Sequence, residues 1–305
     1  MNYKKLDVII VGAGIAGSYL SYKLREHGLK VLVVEKSRGI GGRLCTKFVG
    51  GELVDYGCQY MRPKSRELKL LLSTLEQKNI VKKIKTDSKK VYIAPYGMNR
   101  IPQYLSLGTP VLTNSLVKLL EYKNNRWTIH SESFSFESKM VILTMPVKQV
   151  ETLIKMSELP MLDLPLVKYM EFLTATFQGK RGKKIFDHSK LLPWICNNRR
   201  KGLQNWSDVF TVNFFTQMSL ELQNLNEKER LTKSKQLLMD EGFKDVKNLN
   251  LHYWKYAYIS NQNNTDHVFN KDMKLGVCGD SFSIGKVDGA IKSSNKVCQR
   301  ILSTF

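Results

Sequence analysis

The chain has 305 residues, 42% hydrophobic and 25% charged, which supplies a sizeable core and excludes wholesale disorder. Lysine and arginine outnumber aspartate and glutamate 48 to 27, and the resulting charge of +21 suits either a lysine-rich solvated surface or phosphate-bearing ligands. The scattered Cys45, Cys58, Cys196, Cys278 and Cys298 form no Cys-x-x-Cys pair, and no apolar run could span a bilayer; a disulfide framework, a metal site and a transmembrane segment are not expected, and a reducing cytoplasm is.

Residues 7–12, Asp-Val-Ile-Ile-Val-Gly, read as a buried parallel strand. The apolar run they open is not read as an export signal, because Asp7 precedes it, glycines interrupt it and no small-residue cleavage site follows. Gly12-Ala13-Gly14-Ile15-Ala16-Gly17 comes next, then Leu20 and Leu24 on one helical face, Gly28 as a stop, and a second strand from Lys30 to Glu35. Gly12 permits the turn, Gly14 lets a pyrophosphate approach the backbone, and Gly17 lets helix and sheet pack closely. The helix N-terminus would hold the phosphates, and Glu35, with Lys36 beside it, would meet the ribose. The spacing therefore predicts a dinucleotide-binding βαβ unit, without deciding which dinucleotide.

Arg38-Gly39-Ile40-Gly41-Gly42-Arg43 follows the second strand, and Asp55-Tyr56-Gly57-Cys58-Gln59-Tyr60 comes shortly after. Gln59 can hydrogen-bond a heterocycle edge and Tyr60 can form an aromatic wall. Pro63 is expected to open a helix with a core stripe of Leu68, Leu71, Leu72 and Leu75. A strand at 91–95 leads through Gly97 into a helix. Ser115–Tyr122 and Trp127–His130 read as a hairpin around Asn124-Asn125, and 140–147 as a buried strand ending at Pro146. Further strands, such as 208–215, and a charged helix at 226–242 lead to Leu251–Tyr258, where His252, Trp254, Tyr256 and Tyr258 share one strand face. The chain closes with a strand, Lys274–Asp280, and a helix opened by Val287-Asp288-Gly289-Ala290. The basic clusters at 82–85, 179–184 and 198–201 carry no helix-turn-helix, zinc-finger or RNP pattern, so nucleic-acid binding is not expected.

The Gly41-Gly42-Arg43 segment resembles the flavin-containing amine oxidase superfamily. The segments at 55–60, 91–100, 140–147 and 274–290 resemble, in the same order, renalase-type flavoproteins. The resemblance implies an α/β protein with a Rossmann-type FAD-binding domain and an α+β substrate domain built on an antiparallel sheet. It implies non-covalent FAD, with Gly41 and Gly42 beside the cofactor and Arg43 near its diphosphate. Gln59 and Tyr60 would lie near the ring, the Val117 backbone at the adenine, Gly279 and Asp280 at the ribityl chain, and Asp288, Gly289 and Ala290 at the pyrimidine end. Cys58 stands where the family has a small alanine, and no bond to flavin is expected there. The expected division is 1–62, 96–160 and 268–305 for the cofactor, and 63–95 and 161–267 for the substrate. Tyr60, His252 and Trp254 are the candidate catalytic-pocket residues. The implied reaction is oxidation of a dihydropyridine, an isomer of NAD(P)H, by hydride transfer to flavin, with O₂ reduced to H₂O₂. An amine oxidase or desaturase of the wider superfamily and a non-catalytic flavin-binding protein are the other readings.

Overall fold

The computed structural model describes residues 6–86, 90–261 and 263–304. Strand β1 (Leu6–Val11) runs into helix α1 (Ile15–Glu26), which ends in a turn at Gly28 and returns as β2 (Val31–Val34). The hairpin β3 (Thr46–Val49) and β4 (Glu52–Asp55) follows, then α2 (Arg66–Gln77), the short pair β5 (Lys82–Lys85) and β6 (Lys90–Ile93), α3 (Arg100–Leu105) and β7 (Val111–Leu112). A hairpin of β8 (Leu119–Lys123) and β9 (Arg126–His130) leads to β10 (Ser135–Leu143) and α4 (Val147–Met156). The next stretch holds β11 (Tyr169–Lys180), β12 (Phe186–Asp187), β13 (Trp194–Asn197), α5 (Asn198–Lys201) and β14 (Val209–Asn213). After α6 (Thr216–Gln223), α7 (Glu227–Asp240) and β15 (Lys244–Ile259), the chain finishes with β16 (Val268–Asn270), β17 (Leu275–Val277) and α8 (Lys286–Leu302).

Local chemistry explains these boundaries. Helix α2 starts after Ser65 and not at Pro63, because the Ser65 hydroxyl accepts from Leu68 N and caps the first turn. Its apolar stripe is buried as expected. The β8–β9 turn places Asn124 at φ 50° and Asn125 at φ 60°, the left-handed pair a two-residue hairpin needs. Its first strand begins only at Leu119, because Ser115 N is already bonded to Glu35 O beside β2.

The larger sheet has the order β16-β17-β10-β1-β2-β7, with the β8–β9 hairpin continuing from β10. Its core strands are parallel: β1 pairs with β2 and β10, and β10 with β17. Both faces are covered. Ile9 and Val11 pack with Trp127, Ile129 and α4, while Val8 and Ile10 pack against Leu20 and Leu24 of α1 and Val297 and Ile301 of α8. This double burial explains the unbroken β-branched run that begins the chain.

The second sheet is antiparallel, ordered β12-β13-β14-β11-β15. One face, with Leu173, Ala175, Phe177, Ile195, Phe210 and Val212, forms a core with Leu222 of α6 and Leu238 of α7. The other face presents residues one step out of phase, as strand alternation requires. Trp194 lies opposite Asn213, Asn213 opposite Thr174, and Thr174 opposite His252, a single row crossing four strands. Thr211, on the same face, donates to Asp55 O at 2.6 Å, so this row looks toward the end of β4. The fold is thus a Rossmann-type α/β layer beside an antiparallel sheet.

Candidate cofactor and substrate site

The glycine turn between β1 and α1 is built as its sequence demands. Gly12 has φ +109°, and a Cβ there would stand 2.6 Å from Thr144 Oγ1. A Cβ on Gly17 would stand 2.0 Å from Gly12 O, so only glycine lets α1 pack on the turn. Around an added Cβ at Gly14, by contrast, nothing lies within 4 Å. No side chain caps α1 and no acid occupies its first turn, so its positive end is left for an anion. The second glycine motif packs onto the first: Gly41 N donates to Ala13 O at 2.9 Å, and a Cβ on Gly42 would lie 3.2 Å from Gly14 Cα. Glu35 is buried at the end of β2, accepting from Ala13 N at 2.7 Å and Ser37 N at 2.8 Å. A dinucleotide fits this cradle, which offers bare backbone at Gly14, an uncapped helix end and a carboxylate with lone pairs to spare.

Other expected ligands are placed differently. Lys36 is exposed, its ammonium 3.5 Å from Gln149 Oε1. The Val117 side chain, 7% exposed, packs in the core beneath the sheet. Ile15, Ala16 and Ala290 are likewise core residues. Arg43 and Asp280, assigned to diphosphate and ribityl chain separately, are paired with each other in a two-pronged ion pair. The same guanidinium donates to the carbonyls of Tyr256 (3.2 Å) and Ala257 (3.3 Å). These carbonyls are offered where β15 slips against β11 between the Trp254 and Tyr258 pairings. Burial works against the Arg43 charge, but the Asp280 carboxylate more than offsets it and raises the guanidinium pKa. Asp288 faces residues 64–65, accepting from Ser65 N at 2.8 Å, Ser65 Oγ at 2.7 Å and Lys64 N at 3.1 Å. It fastens α8 to the start of α2. Gly289 is required by packing, since a Cβ there would meet Phe282 O at 2.6 Å. Gly279, at φ +149°, makes the turn out of the last strand.

The segment 55–60 faces the polar side of the antiparallel sheet. Gln59 is buried and fully engaged: its amide donates to the carbonyls of Asp55 and Gly57, and its oxygen accepts from Lys201 Nζ at 3.2 Å. The Tyr60 ring packs against Phe186 (5.1 Å between centroids) and Trp194 (5.8 Å). Tyr56 packs against His252 (5.2 Å) and Trp254 (5.6 Å). The three candidate pocket residues thus belong to two aromatic clusters at opposite ends of the Trp194–Asn213–Thr174–His252 row. Tyr256 packs on Tyr169, and Tyr258 packs on Phe172. Burial, with a smaller contribution from the Lys47 ammonium, lowers the His252 pKa. Burial pushes the Cys58 thiol up to about 11, so it stays protonated, donating to Tyr60 O.

Sequence reading missed Asp55, Tyr56, Trp194 and Lys201 as members of this site. Period-two alternation in 194–197 and 209–213 could have flagged Trp194. Nothing local marks Lys201, the last of three consecutive basic residues, as the one that turns inward.

Residues 10–75 match the family described as an NAD(P)-binding Rossmann-like domain. A 91-residue stretch is 35% identical to putrescine oxidase of Kocuria rosea, covering 30% of this chain and 19% of that protein. The chain therefore matches about a fifth of that relative's length. Among solved structures, a protein of Exiguobacterium sp. 255-15 provisionally described as a protoporphyrinogen oxidase superposes over 98% of this chain and 99% of its own, with TM-score 0.74 and 10% identity. A putrescine oxidase triple mutant redesigned in cofactor binding superposes over 99% of both chains, with TM-score 0.73 and 13% identity. The chain shares the overall fold of these two solved proteins, and its residues 10–75 match the Rossmann-like module.

Proposed function

We propose that the protein is an FAD-dependent oxidoreductase that binds its cofactor non-covalently and oxidises a dihydropyridine of the isomeric NAD(P)H type, with O₂ as final acceptor. When bound, FAD would supply the two-electron acceptor for the substrate and return the electrons to O₂ as H₂O₂. The chain's part is to hold, orient and keep dry. The turn at Gly12–Gly17 and the first turn of α1 receive the diphosphate, Glu35 the ribose, and the Arg43–Asp280 pair closes the far side.

One observation carries the choice of substrate class: the hydrogen-bonding character of the face that looks at residues 55–60. The indole N–H groups of Trp194 and Trp254 are buried without an acceptor, one near each end of the row. Carboxylates around that face are committed, Asp55 to Lys201, Glu52 to the amides of Trp206 and Ser207, and Asp280 to Arg43. A planar ring bearing a carboxamide brings acceptors to such donors and stacks on flat aromatic walls. An ammonium brings only donors, and the three carboxylates just named are already committed to other partners. No general base is required, because aromatisation of the dihydropyridine drives the oxidation.

The amine oxidase reading is favoured by the putrescine oxidase match. Anaerobic mixing of the yellow holoprotein with dihydronicotinamide isomers and, separately, with putrescine and benzylamine tests both. Bleaching of the visible flavin band by the dihydropyridines alone is the expected result; bleaching by an amine alone transfers the assignment to amine oxidation. A colourless chain that takes up no added FAD overturns the cofactor reading itself.

A further inference from the structure

We propose that Lys201 is a positioning residue: its buried ammonium clamps the 55–60 segment to the antiparallel sheet and thereby sets where Tyr56 and Tyr60 stand. Calling those tyrosines substrate walls rests on the function proposed above; the clamp itself does not.

Residues 199–201 are three consecutive basic residues on the single turn α5, and they are treated unequally. Arg199 and Arg200 stay at the surface and share Asp208, at 2.6 and 3.7 Å. One further step of about 100° around the helix turns Lys201 inward, where its side chain is 0% exposed. Asn197 caps the turn through Arg200 N, and Gly202, at φ +112°, ends it immediately after the lysine. The turn is therefore held at both ends with Lys201 pointing at β4.

Its target is Asp55, also 0% exposed, with Lys201 Nζ 2.6 Å from Oδ2. The other carboxylate oxygen accepts from Thr46 Oγ1 at 2.5 Å and Met98 N at 2.8 Å. The Asp55 backbone is held from the same side: its N–H donates to Asn198 Oδ1 at 3.2 Å, and its carbonyl accepts from Thr211 Oγ1. Asn198 in turn donates to Thr211 Oγ1 at 2.9 Å. Lys201 then reaches Gln59 Oε1, which fixes the carboxamide orientation, because only its oxygen can face an ammonium. With its oxygen so fixed, the Gln59 amide closes the turn onto the carbonyls of Asp55 and Gly57. Tyr56 and Tyr60 leave this closed turn in opposite directions, toward Trp254 and toward Trp194.

Stability alone does not require this arrangement, because a buried ion pair replaced as a unit by neutral groups is often no worse, whereas removal of one partner leaves a lone buried charge. That asymmetry separates positioning from support. Lys201→Met and Asp55→Asn alone are expected to lower Tm strongly. The double variant K201M/D55N is expected to recover most of that Tm and the wild-type far-UV circular dichroism, yet to show altered near-UV circular dichroism from the tyrosine–tryptophan contacts. Its KM for the dihydropyridine that bleaches the wild type should rise about tenfold with little change in kcat. Gln59→Leu, which keeps the ion pair, should reproduce the near-UV and KM changes, and K201M/D55N/Q59L should add little to either. Wild-type near-UV spectra in both K201M/D55N and Q59L overturn the proposal, and if the double variant does not fold, a wild-type spectrum in Q59L alone does so. The near-UV readout needs no cofactor, so a wild type that binds no FAD sinks the function proposed above while the clamp is still decided.

Discussion

His252 packs edge-on against the rings of Tyr56 and Trp254, with Lys47 nearby, surroundings that disfavour a second proton. Its folded pKa lies below the ordinary value of 6.5, so the unfolded chain binds the proton more readily. The resulting stability is fully present above the unfolded value and is lost as pH falls below it. His252→Phe should therefore flatten part of the decline in Tm on acidification from about pH 7 to pH 5. An NMR titration of the wild type should place this imidazole's midpoint below that of a free histidine. A midpoint at or above the free value would show that the ring is solvated or carboxylate-paired. Arg43 poses the opposite problem, that of a charge whose partner cannot be left alone. Asp280 is 10% exposed in its side chain, and Arg43→Ala would strand it beside two carbonyls that had accepted from the guanidinium. With Arg43 itself 29% exposed, the loss should be about 2 kcal/mol or more, read as a fall in urea midpoint. Arg43→Lys should recover only part of it, because an ammonium cannot reproduce the fork.

At the level of single elements, helix α7 shows how local chemistry declares a boundary in advance. Asn226 caps Glu229 N, and the Glu229 carboxylate returns to Asn226 N, a reciprocal box at the start of the charged helix. Asn226→Ala should cost about 1 kcal/mol in denaturant melts and leave flavin content unchanged, since α7 covers the face of the sheet turned away from the cradle. The same locality made the Gly12–Gly17 turn, the Asn124-Asn125 hairpin and the α2 stripe readable from sequence, because each is specified by residues within one or two turns of chain. The site was less readable for a matching reason. Gln59 accepts from a lysine 142 positions away, and Asp288 accepts from Ser65, 223 positions back. The sharing of one face by His252 and Trp254 follows from alternation, but the slip of β15 against β11 beyond Trp254 is something only pairing reveals.

Across the whole molecule, the larger sheet is completed by chain that arrives last. Strand β17 pairs with β10, which pairs with β1, so residues from near both termini and the middle occupy adjacent strands. Helix α8 then lies along α1, and its Ile291, Val297 and Ile301 are fully buried. At about 1.5–3 kcal/mol for each such side chain, these three alone approach the 5–15 kcal/mol by which a whole domain is stable. The cofactor cradle depends on the same closure, because Asp280 is what holds Arg43 in place and Asp288 is what fastens α8 to α2. A chain ended at residue 267 should therefore lose more than its last helix. It should show no cooperative thermal transition and retain no FAD, even though the whole glycine turn and Glu35 remain. Full-length apoprotein, by contrast, should melt cooperatively, and its Tm should climb with added FAD, as expected for a ligand that binds only the folded state. Calorimetry of the two chains with and without FAD decides the matter: a truncated chain that melts near the wild-type Tm and is stabilised by FAD would mean that the amino-terminal βαβ unit folds and binds without the closing segment.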